Sequence, residues 1–153
     1  IEYQWGELLC GVLPRVVLLI QIIPSLGLLY FYGVMGSFSG LSLKVVGHQW
    51  YWSYDFGDVV FLSFDSFMKS VDSLVLGDFR QLDVDNRCVL PFLLDVRFCV
   101  SSSDVIHAWA LNGLGIKLDA MGGFISVFQY FFPILGVFFG QCSEICGANH
   151  SFI

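Results

Sequence analysis

From Val16 to Leu43 the chain carries no charged residue. Within that stretch VVLLIQIIPSLGLLYFYGVM (16–35) is a predominantly apolar run. A helix of that length spans about 30 Å, the thickness of a bilayer's hydrocarbon core. The run lacks the small-residue cleavage site of a secretory signal. No other part of the chain is able to surround such a helix. It is therefore predicted to cross a membrane over about residues 14–35, within an N-terminal region 1–40. Pro24 falls mid-span, where neighbouring helices can satisfy the carbonyl it frees. GSFSG (36–40) marks the exit.

Beyond residue 40 the pattern changes to short apolar runs separated by Gly, Pro, Asp or Asn: LSLKVVG, WYWSY, VVFLSF, RQLDV, CVLPFLL, VRFCVS and IHAWAL. Their Val, Phe, Tyr and Trp content predicts a mainly β domain over 41–153, an antiparallel sandwich or barrel. GGFISVFQYFFPILGVFFG (122–140) is apolar enough to suggest a second membrane helix. Gln129, Pro133 and its β-branched and aromatic content assign it to buried strands instead.

Composition supports a membrane-attached protein. Hydrophobic residues make up 56% of the chain, too many for an ordinary soluble domain. Sixteen Phe in 153 residues resemble the compositional bias of an organellar genome. Charge is placed unevenly. Residues 1–47 balance, with Glu2 and Glu7 against Arg15 and Lys44, so the formal net charge of −6 sits on residues 48–153. An acidic surface argues against nucleic acid and fits a basic protein partner.

Of the five Cys, an odd number without framework spacing, Cys88 and Cys99 lie in apolar runs and Cys10 beside the membrane segment. Only Cys142 and Cys146 have polar surroundings and a nearby His. GQCSEICGANH (140–150) sets Cys142, Cys146 and His150 four residues apart in turn, and His107 in SSSDVIHAWAL offers a second imidazole. Thiolate and imidazole ligands suit copper or zinc rather than magnesium or calcium. The spacing alone leaves open a closed tetrahedral zinc site, a thiolate-bridged pair of coppers and a metal-free loop. HQWYWSY (48–54) follows the membrane exit closely and reads as an interfacial aromatic belt or as an exposed ring that accepts an electron. His48 reads as a structural hydrogen-bonding residue.

GHQWYWSYDF, LDVDNRCVLP, SSSDVIHAWAL, LGIKLDA and FGQCSEICGANHSF resemble, in order and spacing, the successive signature blocks of cytochrome c oxidase subunit 2. PSLGLLY is similar to that family's second transmembrane helix. The resemblance covers about residues 7–153, and the Cys pair argues against the related quinol-oxidising subunits, which lack it. It implies a cupredoxin-like Greek-key β-sandwich or barrel, preceded by one transmembrane α-helix and carrying a dinuclear copper (CuA) centre. Cys142 and Cys146 would bridge the coppers, and His107 and His150 would each bind one. Glu144 would bind through its backbone carbonyl, with its side chain towards a magnesium at the boundary with the catalytic subunit.

The same resemblance implies that Trp50 receives the electron from cytochrome c. Gln49, Tyr51, Asp55, Asp58, Asp85 and Asp104 would lie on the docking side. Glu7, seven residues before Pro14, would stand at the entrance of the catalytic subunit's proton path. The partners implied are haem-copper oxidase subunit 1, the other oxidase subunits, cytochrome c and the membrane, with no nucleic acid. The location implied is the mitochondrial inner membrane with the copper domain in the intermembrane space, or alternatively a bacterial plasma membrane.

Three departures stand out. The family has two transmembrane helices, and this chain starts just before the second. The family's Pro-Gly-Arg after the Asp-Ala pair is here part of Met121-Gly122-Gly123-Phe124, and the family's axial Met falls at Ile153. The competing reading is a structural subunit of the same complex with a zinc-bound or metal-free site. A copper-delivery protein would need exposed, labile ligands, whereas two His on separate segments favour an enclosed site.

Overall fold

The computed structural model describes residues 2–34, 40–57 and 62–153, in two compact units, Ile1–Ser37 and Phe38–Ile153. The first contains helix α1 (Gln4–Val34), which continues through Pro14 and Pro24. Its large apolar side chains are exposed, Ile23 at 75% among them. Among the described residues it is the helix long and apolar enough to cross a membrane, over Gln4–Tyr32.

The second unit is a β-sandwich. Strands β1 (Leu41–His48), β2 (Tyr51–Phe56), β3 (Ser63–Ser66), β4 (Asp95–Ser102) and β7 (Ser126–Phe131) form one sheet in the order β3-β2-β1-β4-β7. Strands β5 (His107–Leu111) and β6 (Ile116–Ala120) form a second, two-stranded sheet. All pairings are antiparallel except that of β1 with β4, where Leu41 lies opposite Val96 and Gly47 opposite Ser102. The Trp50 turn and the end of β4 therefore share one end of the sheet.

Alternation along the strands builds the core. Leu43 and Val45 on β1 and Val96, Phe98 and Val100 on β4 are fully buried, as period-two patterning requires. Phe98 meets Trp109 of β5 at 5.0 Å between ring centroids, which joins the two sheets. The Trp109 indole N–H donates to the Tyr54 hydroxyl of β2 at 3.2 Å.

Three expectations need correction. RQLDV and CVLPFLL form turns and bends, with a single bridge between Met68 and Val84. The chain leaves the extended region at Gln81 and Leu93, whose φ values are 61° and 56°. The Asp83 carboxylate, moreover, is buried beneath this segment, where it accepts from the Phe79 N–H and pairs with Arg87. The third correction concerns 122–140. It supplies strand β7, but that strand lies at the sheet edge with Val127 59% and Phe131 46% exposed. A segment this apolar was expected to be buried because composition records hydrophobicity, not what covers it.

The Asp83 carboxyl is held below the usual carboxylate range by the Phe79 N–H and then by Arg87. Asp78 is likewise lowered, by Lys69 and then the Val75 N–H. A lowered folded pKa contributes stability above the unfolded value of about 3.9, and that contribution is lost as pH falls through the folded value. The thermal midpoint should thus fall as pH drops below about 4. Asp83→Asn should lower the midpoint at neutral pH and flatten the acid decline. An unchanged acid profile in the variant would contradict this account.

Candidate metal centre

Three segments meet at one end of the sandwich. His107 opens β5, so its ring is fixed by a buried strand and is itself fully buried. Cys142 and Cys146 come from the irregular loop after β7. Two backbone bonds tie that loop down: the Cys142 N–H donates to the Ile153 carbonyl at 2.7 Å and the Ser143 N–H to the Ala108 carbonyl at 3.0 Å. Gly140 begins the loop against β5, where a methyl group would run into the Ala110 carbonyl oxygen. The third segment is the β1–β2 turn with Gln49 and Trp50, whose shared peptide is cis.

The ligand atoms of His107, Cys142 and Cys146 lie within 4.8 Å of one another. Cys142 Sγ is 3.9 Å from Cys146 Sγ and 3.9 Å from His107 Nδ1, and Cys146 Sγ is 3.4 Å from His150 Nδ1. The sulfurs are far beyond the disulfide bond length of about 2.05 Å, so both Cys are free thiols. Sulfurs that each bind one ion at about 2.3 Å can stand up to about 4.6 Å apart, so the observed separation admits a shared ion.

Burial, and then the neighbouring Cys142, push the Cys146 thiol up to about 12. A metal ion bound here would have to displace that proton, and its charge would offset the thiolate's. His107 is oriented for ligation: its Nε2 lies 2.8 Å from Asp104 Oδ1. With that nitrogen donating, Nδ1 presents its lone pair to the sulfurs. Burial works against the Asp104 carboxylate, but bonds from His107, the Gln49 N–H and the Val105 N–H together hold its pKa down.

Gln49 links the aromatic turn to both halves of the centre. Its N–H donates to Asp104 Oδ2 at 2.7 Å, and its side-chain amide donates to the Cys146 carbonyl at 2.8 Å. Tyr51 is stacked between His48 at 4.6 Å and Phe67 at 4.4 Å. Asp85 accepts from the Phe67 N–H at 2.8 Å, which puts it beside the same aromatic stack. Glu144 is half-exposed, and its carbonyl lies 3.2 Å from Cys142 Sγ.

Other sequence-predicted residues lie elsewhere. Asp55 pairs with Lys44 at 3.2 Å, four residues down β2 from Tyr51 and so about 13 Å along the strand. Asp58 lies outside the described residues. Glu7 is exposed in the first turn of α1. The sequence named Gln49 and Asp104 for the docking side, but not Asp104 as the partner of His107 or Gln49 as the tie to Cys146, and it did not single out Gly147, which lies against Trp50. The i,i+3 spacing of Asp104 and His107 was the only available signal, and it is too common to be decisive.

Residues 41–153 match the family model for the cytochrome C oxidase subunit II periplasmic domain. The chain belongs to the cytochrome c oxidase subunit 2 family. It is 63% identical over 153 residues to cytochrome c oxidase subunit 2 of Caenorhabditis elegans and 61% identical to that of Ascaris suum. All of this chain and 66% of each relative are covered, so the chain spans just under two thirds of these curated relatives. Among solved structures it resembles the periplasmic domain of subunit II of cytochrome oxidase (CoxB) of Bradyrhizobium japonicum. The TM-score is 0.70 and the identity 40%, over 78% of this chain and 83% of that one. A second structural relative is a subunit II domain held in a mixed disulfide with a thioredoxin-like protein, with a TM-score of 0.64, 38% identity, and coverage of 78% of this chain and 80% of that one. The cupredoxin-like sandwich expected from the sequence is thereby established as a family fold.

Proposed function

We propose that this chain accepts electrons from cytochrome c at a dinuclear copper centre and passes them to the haem-bearing catalytic subunit of a terminal respiratory oxidase. The observation that carries this reading is the convergence of His107, Cys142 and Cys146 within 4.8 Å, with His150 beside Cys146. Cys142 and Cys146 would bridge the metals, His107 and His150 would cap them, and the Glu144 carbonyl would add an oxygen ligand. When bound, such a pair supplies a one-electron carrier whose change in charge is spread over both thiolates. The chain's own residues keep the ligands still. Asp104 fixes the His107 ring, Gln49 holds the Cys146 carbonyl, and Ile153 anchors the Cys142 N–H.

Trp50, half-buried over the loop, is the electron-accepting ring in this reading. Gln49, Tyr51, Asp85 and Asp104 form the docking side around it, and Asp55 and Asp58 extend the acidic field. The Glu144 side chain would reach a magnesium at the boundary with subunit 1, and Glu7 would stand at the entrance of the proton path. The domain then lies in the intermembrane space of a mitochondrion, anchored by α1 in the inner membrane. A thioredoxin-like reductant is a further partner, suggested by the mixed disulfide of the structural relative.

Metal analysis with electron-spin resonance tests the function. The expected result is paired copper with strong thiolate absorption and an unpaired electron shared over both nuclei. Stoichiometric zinc without colour would instead establish the structural-subunit reading. Docking by carboxylates has its own signature. Electron transfer from cytochrome c should slow as ionic strength rises past about 0.1 M, where the screening length is about 10 Å. A salt-independent rate would remove the acidic face from the docking surface.

A further inference from the structure

We propose that Gly147 is the seat of the Trp50 ring, and that with Gln49 it sets how closely the indole lies against the Cys142–Cys146 loop. A methyl group at Gly147 would stand 3.0 Å from Gln49 Nε2, 3.3 Å from Trp50 Cζ2 and 3.4 Å from Trp50 Nε1. The ring and the amide thus occupy the space that any side chain at 147 would take. Trp50 Nε1 is buried with no hydrogen-bond partner among the described residues. No polar bond holds the ring, therefore, and its position depends on packing. What fixes the neighbouring backbone is Gln49, bonded to Cys146 on one side and to Asp104 on the other. Gly147 and Gln49 are positioning residues: they act on the rate of electron uptake through Trp50. The inference rests on the reading that Trp50 accepts the electron.

The first test needs no metal. In the metal-free full chain in detergent, acrylamide quenching assigned to Trp50 by difference from Trp50→Phe reports how covered the ring is. Gly147→Ala should raise that quenching constant, and Gln49→Leu should raise it too. The second test is the first-order rate within the cytochrome c complex of the assembled oxidase. Gly147→Ala should slow it about tenfold, because small displacements of a reacting group cost rate steeply. In the Trp50→Phe background the smaller ring leaves room for the methyl, so adding Gly147→Ala should cost much less.

Gly147 has a φ of +124°, so alanine there strains the loop, and copper content is measured beside the rate. Gln49→Leu adds no side chain at 147 but removes the bond to the Cys146 carbonyl, so quenching in the metal-free chain decides the case: a raised constant there supports the proposal whatever the copper content. Wild-type quenching in both variants overturns it, as does equal cost of Gly147→Ala with and without the indole. If Trp50→Phe itself transfers electrons at the parent rate, the assignment of electron acceptance fails, while the seating of the ring is still judged by quenching alone.

Discussion

Cys146→Ser should lower the copper content of the chain by more than about tenfold. Outer residues that merely orient a ligand already cost about 10–100-fold in metal affinity when lost, and Cys146 is itself a proposed ligand. Serine keeps the size of the side chain but replaces a soft, polarizable sulfur with a hard oxygen that copper binds poorly. The sulfur removed is also the one shared between neighbours: it lies 3.9 Å from Cys142 Sγ and 3.4 Å from His150 Nδ1. Its loss leaves the single sulfur of Cys142 to serve both His107 and His150. The fold should survive, because the residue is small and the loop is held by backbone bonds at Cys142 and Ser143. Metal analysis beside a circular dichroism spectrum separates the two effects. Parent-level copper in the serine variant would exclude Cys146 as a ligand and with it the proposed function.

Phe98→Ala should cost about 3–5 kcal/mol of unfolding free energy, the range for removing a large aromatic side chain from a packed core. Phe98 is fully buried on β4 and lies 5.0 Å from Trp109 and 6.2 Å from Phe132, ring centre to ring centre. It therefore joins the two sheets, and Trp109 is kept from collapsing into the space by its bond to Tyr54. Val127→Ala on exposed β7 is the matched control, with an expected change within about 0.5 kcal/mol. Denaturant unfolding of both variants measures the difference. Equal midpoints would show that Phe98 is not the joint between the sheets.

The sequence made the candidate centre legible because its proposed ligands are chemically rare and locally spaced. Cys142, Cys146 and His150 announce themselves within one loop, and His107 was the imidazole available to complete them. Strands β1, β2, β4 and β5 were legible for another reason: each alternates or fills with apolar residues that the sandwich buries. What stayed hidden depends on contacts distant in sequence. Gln49 and Cys146 are 97 residues apart, and nothing in either neighbourhood announces the bond between them. RQLDV looked like a strand because Leu82 and Val84 alternate with polar residues. The inward-turned Asp83 and its partners Phe79 and Arg87 decide otherwise, and a local pattern cannot show them.

The spread of the ligands along the chain has a thermodynamic side. Cys142, Cys146 and His150 sit in one loop, whereas His107 lies 35 residues before Cys142 in a strand of the second sheet. A metal held by all of them is a cross-link between loop and sandwich, and only the folded chain offers it. By mass action, free metal at a hundred times its dissociation constant would stabilise the fold by about 2.7 kcal/mol. If the metal is copper, as proposed, copper supply and protein lifetime become one quantity. A copper-starved membrane would hold fewer folded copies of this chain, in addition to leaving the surviving copies unloaded.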